Sequence, residues 1–191
     1  MAEKGIEGPP VNLRLCLARL YLPAGPRRRK LEELLRLTAR AFGEAPPSVE
    51  GLSLEGLRRR YAEFSREMAD RALARPEGLT MIERRLFDEA DRLGHEIAKE
   101  LGVSTLPEVL TAARILYRGL GIDFRGDRQG DIVIRRCSFS RHYSPDVCRL
   151  MSSLDAGLLS GLAGGGELEF TGRLTEGASC CRARFSFPEA D

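Results

Sequence analysis

Cys137, Cys148 and Cys181 are the residues in this chain whose type best suits chemistry. A thiolate is a good nucleophile and a soft metal ligand, so three sulfurs in one unit suit a covalent step or a zinc or iron centre. Asp155 follows Cys148 by seven residues, two helical turns, which returns it to the same side of a helix. His142 adds a group that titrates near neutral pH. A plainer reading stands beside this one, because free cysteine often packs as a small buried hydrophobe. The residues point to a small-molecule or metal site without naming its ligand.

The elements that must position these groups are legible in the same stretch. Ile132, Val133, Ile134 and Phe139 mark a strand, and the Gly126 to Gly130 turn pairs it with a short strand over 122–124. Strict alternation puts Cys137 on the face of Val133 and Phe139, and that face is expected to turn inward. Ser144, Pro145 and Asp146 are a helix start. The Ser hydroxyl caps free amides, Pro has helical φ, and the acid suits the positive end. Val147, Leu150, Met151, Leu154, Leu158 and Leu162 then recur at three and four until Gly164, Gly165 and Gly166 stop the helix. Residues 167–174 and 180–187 alternate as strands, joined by a loop containing Gly177. Leu168, Phe170 and Leu174 share one face of the first. Cys181, Ala183, Phe185 and Phe187 share the apolar face of the second, opposite Arg182, Arg184 and Cys180.

The preceding two thirds read as successive amphipathic helices. Residues 11–20 suit a strand or a short helix, with Cys16 packed. A basic run, Arg27 to Lys30, opens a helix through Phe42 as a solvated start. Ser53 begins another with a stripe of Leu54, Leu57, Tyr61, Phe64 and Met68. A third spans 79–101, burying Ile82, Leu86, Ala90, Leu93, Ile97 and Leu101, with His95 at the boundary of that stripe. Thr105 and Glu108 form a capping box for a fourth, with Leu106, Val109, Ala113, Leu116 and Leu120 inward. The expected architecture is α+β: a helical region over 1–120, then a β-β-α-β-β unit over 121–191, an antiparallel sheet with one packed helix. The two regions should form one compact domain.

Composition narrows the function classes. Hydrophobic residues at 42% and charged residues at 30% are globular values. A net charge of +2 gives no argument for nucleic acid. No apolar run approaches the ~20 residues of a membrane span. Five cysteines, without a signal-peptide pattern, suit a reducing cytoplasm. Gly164 to Gly166 follows a helix instead of preceding one, so no phosphate loop is present. Neither a Ser nucleophile elbow nor a CxxC pair occurs.

One longer pattern is shared with known families. It runs from Cys137 through Tyr143, Ser144, Pro145, Asp146, Val147 and Cys148 to Asp155. It continues through Leu168, Glu169 and Phe170 and closes on the stretch from Leu174 to Phe185. This order resembles the C-terminal half of the L-2-amino-thiazoline-4-carboxylic acid hydrolase family, over about a third of the chain. It is also similar to 4-vinyl reductase-like small-molecule-binding domains. Leu174 stands where those domains would carry a further Cys, which favours the hydrolase group. Ser152 lies where the hydrolase pattern has a Cys before the helix Asp. The first resemblance implies a hydrolase that opens a cyclic thiazoline or amidine-like substrate, with Cys181, Cys148, Asp155 and His142 as the catalytic set. In its metal form, Cys137, Cys148 and Cys181, with His142 or Asp155, would hold zinc or iron. The second implies a binding or sensor domain without chemistry, with the N-terminal helices serving as a homodimer surface.

Overall fold

In a computed structural model, the structure describes Asn12, Leu15 and residues 24–187. The expectations for residues 11–20, Cys16 included, lie outside the described residues apart from Asn12 and Leu15. Four helices have their full extent among the described residues ahead of the sheet: α1 (Ala24–Phe42), α2 (Leu54–Leu73), α3 (Leu79–Leu101) and α4 (Leu106–Gly119). Beyond them lie β1 (Ile122–Gly126), β2 (Asp131–Cys137), α5 (Pro145–Ala163), β3 (Glu167–Gly172), a single 3-10 turn (Leu174–Glu176) and β4 (Cys181–Ser186). The fold is α+β, and its sheet is antiparallel in the order β1-β2-β4-β3.

The helix starts obey their sequence signals. Ser53 Oγ accepts from the Gly56 amide at 3.1 Å, and Ser144 Oγ accepts from the Val147 amide at 3.2 Å. The Glu108 carboxylate accepts from the Thr105 and Ser104 amides, both at 3.0 Å, which closes the capping box of α4. Helix α1 begins three residues before the basic run, at Ala24. Strand β3 stops at Gly172, and Leu174, expected within that strand, lies in the 3-10 turn.

Helix α5 is the hub. It touches α2, α3, α4 and β3, and one continuous core joins the helical region to the sheet. Its contact with α3 is made backbone to backbone through three glycines. A Cβ built on Gly157 would lie 2.2 Å from the Phe87 carbonyl oxygen, one on Gly161 2.0 Å from that of Asp91, and one on Gly94 2.5 Å from that of Leu158. Real side-chain carbons do not come so near, so any other residue would force the helices apart.

The sheet departs from strict alternation at two places, and each changes which side chains face the core. Phe124 pairs with Ile134 and Ile122 with Cys137, so β2 carries one more residue than β1 between these pairs. This bulge inverts the facing of the residues beyond it. Ile132 and Ile134 are the inward residues of β2, Val133 is not, and Cys137 reaches the interior only because of the extra residue. The expectation that Cys137 shares the face of Val133 is therefore corrected. A second bulge falls in β3, where Phe170 pairs with Ala183 but Gly172 with Arg182. Strand β4 alternates as expected, with Cys181, Ala183 and Phe185 buried.

Among the described residues no helix is long and apolar enough to cross a membrane. The glycine contact carries a stability prediction. Gly161→Ala should lower the unfolding free energy by about 3 kcal/mol, the upper end of the cost of overpacking. Gly25→Ala, where nothing lies within 4 Å of the added carbon, should leave it unchanged or slightly higher. Urea denaturation of the two variants checks this, and a Gly161→Ala protein as stable as the wild type would show the contact to be loose.

Candidate functional site

Between α5 and the sheet, closed above by α2, α3 and α4, lies a cavity of about 90 Å³ with a mostly apolar wall. Each cysteine arrives from a different element. Cys137 comes off the β2 bulge, Cys148 from the first turns of α5, and Cys181 from the start of β4, directly across from Ile134. Asp155, two turns along α5 from Cys148, lines the same space. The structure thus brings together Cys137, Cys148, Cys181 and Asp155.

His142 is placed elsewhere. Its backbone amide donates to the Phe139 carbonyl at 2.8 Å, closing the turn after β2, and its side chain lines an outer groove instead of the cavity. The catalytic and metal sets that included it are not assembled. Among the described residues no three His, Cys, Asp or Glu side chains come together closely enough to hold a metal ion. His95, the other histidine, is 58% exposed beside Asp91 on α3, as expected of a boundary position.

The key polar contact of the cavity wall is a hydrogen bond from the Tyr117 hydroxyl to Asp155 Oδ1, 2.8 Å long. Asp155 retains some accessible surface and lies at the cavity wall. Removal from bulk water pushes its carboxyl up to about 6, against the opposing pull of the Tyr117 hydrogen bond and the Arg173 charge. The thiols feel the same environment. Burial pushes Cys137 up to about 12, and the ionised Asp155 disfavours a second negative charge there. Cys148 and Cys181 are raised too, again chiefly by burial. All three are free thiols that stay protonated near neutral pH, which leaves them weak nucleophiles.

Two further tyrosines line this wall, and Arg173 stands behind it against Phe170 and Ser152. Tyr143, on the turn after β2, hydrogen-bonds Ser65 Oγ at 2.5 Å and stacks on Phe139, and Tyr61 meets the same Phe139 ring edge-on. Arg173, just past the β3 bulge, lies over the Phe170 ring at 4.3 Å and donates to Ser152 Oγ at 3.4 Å. Its Nε is buried without a hydrogen-bond partner among the described residues, and the Thr175 hydroxyl lies beside the Cys148 sulfur, where it favours the thiolate. The Leu174 amide donates to Cys181 Sγ at 3.4 Å, tying the 3-10 turn to the cysteine.

The sequence pattern marks Tyr61 only as a core residue and Tyr143 only as part of the longer motif, and it gives Tyr117 and Arg173 no place in the site. A signal existed for Tyr117: it stands four residues after Ala113 on the apolar stripe of α4, and a buried tyrosine hydroxyl demands a partner. No local signal marks Arg173, because its direction depends on a bulge. No protein-family model matches the chain, and no curated protein is significantly similar to it.

The raised carboxyl fixes the sign of a pH effect. An Asp whose folded pKa exceeds the unfolded value of about 3.9 binds its proton more tightly when folded. The Asp155 contribution is therefore full below pH ~4, declines as pH rises, and is lost above about 6. Unfolding free energy measured against pH should fall across that window by on the order of 2–3 kcal/mol. Asp155→Asn should remove this step, whereas Tyr117→Phe, which takes away a donor to the carboxylate, should extend it to higher pH. A wild-type curve with no step that Asp155→Asn removes would contradict the placement of this group.

Proposed function

We propose that the chain is a small-molecule-binding domain whose ligand sits in the cavity among Cys137, Cys148, Cys181 and the Tyr117–Asp155 pair. The observation that carries this reading is the cavity itself, an apolar space with a single hydrogen-bonded acid in its wall. Such a combination of apolar surface and few directed polar groups is how proteins hold small organic ligands. The protonated thiols suit it as well, since they offer soft, polarisable surface instead of charge. A volume of about 90 Å³ suits a ring or short chain smaller than a typical drug-sized ligand.

A second reading is favoured by the placement of Asp155, held by the Tyr117 hydroxyl at the cavity wall, where removal from water raises its carboxyl to about 6. A group of that pKa can take and return a proton near neutral pH, which suits hydrolysis of a cyclic thiazoline or amidine. Water would add across the ring C=N bond, its hydroxyl going to carbon and its proton to nitrogen through Asp155. The tetrahedral carbon would collapse to a carbonyl as the ring bond breaks, the hydroxyl proton passing to the departing heteroatom. The raised thiols make Asp155, rather than a cysteine thiolate, the centre of this version.

The binding reading predicts that thiophene or 2-aminothiazoline at millimolar concentration raises the melting temperature of the wild-type protein. Cys148→Phe, which fills the cavity, should lose the shift while keeping its helical circular dichroism. No shift with either probe, and no ligand retained in a native mass spectrum, would overturn it. The hydrolytic reading predicts release of a ring-opened product from 2-aminothiazoline-4-carboxylate. Its rate should rise through pH about 6 and drop at least ~100-fold in Asp155→Asn, the scale of a lost general base. Absence of product from the wild-type protein would dismiss it.

A further inference from the structure

A second concavity adjoins the cavity on its outer side. Its volume is about 1040 Å³, and it lies between α4, the end of β2 and the turn after β2. Cys137 and Leu174 line both spaces and so stand between them. Its character is opposite to that of the cavity. Arg114 and Arg118 reach it from successive turns of α4, Arg135 and Arg136 from the β2 bulge, and Arg141 from the turn.

The charges are poorly balanced. Glu55 and Asp123 are the carboxylates of the lining, and each is already beside another arginine. Arg58 Nη1 is 3.2 Å from Glu55 Oε2, and Arg125 Nε is 3.7 Å from Asp123 Oδ1. The guanidinium groups of Arg114, Arg135, Arg136 and Arg141 make no hydrogen bond or ion pair among the described residues. Arg118 makes an interaction of its own, which leaves four arginines of the groove against two carboxylates that are each already beside another arginine. Positive charge is therefore concentrated in this groove.

The bulge makes this arrangement specific. Ordinary alternation would send only one of two consecutive residues outward, but the extra residue in β2 leaves both Arg135 and Arg136 exposed at the groove. Like charges so close repel one another, weakly where water and salt screen them, and an anion between them turns that repulsion into attraction. Guanidinium groups offer paired N–H donors that match carboxylate and phosphate oxygens. Among the described residues Phe124 and His142 are the rings of the lining, and Phe124 is only 2% exposed, so a half-buried histidine offers one stacking position where a nucleic-acid strand needs a row of them.

We propose that this groove is a binding site for a small organic anion with a multiply charged headgroup, phosphate or clustered carboxylate, held by Arg135, Arg136, Arg114 and Arg141. The site is independent of what the neighbouring cavity binds.

Isothermal titration of the full chain with pyrophosphate and with citrate at low ionic strength tests it. At least one of the two should bind, and added salt should weaken binding. The double variant Arg135→Gln/Arg136→Gln should lose affinity by at least about tenfold, the scale of one charge-assisted hydrogen bond. Arg59→Gln/Arg60→Gln, exposed positions on α2 outside the groove, should bind as the wild type does. Cys148→Phe should also retain binding, which separates this site from the cavity. Failure of both anions to bind, or equal loss in the two arginine double variants, would overturn the proposal. So would binding of single-stranded oligonucleotides that tightens with length and exceeds that of the small anions.

Discussion

Gly94, Gly157 and Gly161 allow the backbones of α3 and α5 to touch, and α5 in turn packs against α2, α4 and β3. Helix α5 is central and carries two working faces. One, with the glycines, lies against α3, and the other, with Cys148, Met151 and Asp155, looks into the cavity. Without side chains in the contact, α5 sits deep enough for the sheet to close over its other face. A core this tightly built transmits displacement instead of absorbing it, so the cavity depends on residues that never touch it.

The sheet supplies the second constraint through its two bulges. One extra residue in β2 turns Cys137 inward and sends Arg135 and Arg136 out together, so a single irregularity contributes to both the cavity and the groove. The extra residue in β3 precedes Arg173, which lies over Phe170 and reaches Ser152. Bulges are common beside functional sites because they re-aim side chains without disrupting the rest of the ladder.

Electrostatically the two concavities are opposites only a side chain apart. In the cavity, desolvation holds Asp155 and three thiols toward their neutral forms, and Tyr117 tempers the effect at Asp155. In the groove, arginines remain solvated and their repulsion is screened. An acid at an apolar cavity wall with a near-neutral pKa and a cluster of exposed arginines are both departures from what stability alone would select, and such departures tend to mark function.

The sequence by itself determined the elements and their order. Ser53, Thr105, Ser144 and Gly164 mark helix ends, the apolar stripes identify the buried faces, and period-two alternation gives β4 its inward Cys181. These are local effects, written in residues a few positions apart. The convergence of Cys148 and Asp155 was legible for the same reason, since both ride one helix face. What only the tertiary structure decided depends on distant partners. His142 looked like a site residue because of its type, but the turn after β2 places it in the groove. Strict alternation places Cys137 on the face of Val133, and the bulge between Ile134 and Cys137 inverts that alternation. Tyr117 found its acid across the fold from α4 to α5, and three ordinary-looking glycines set the distance between two helices. Strand register, bulge position and helix separation are settled by packing between elements far apart in the chain, so no local pattern carries them.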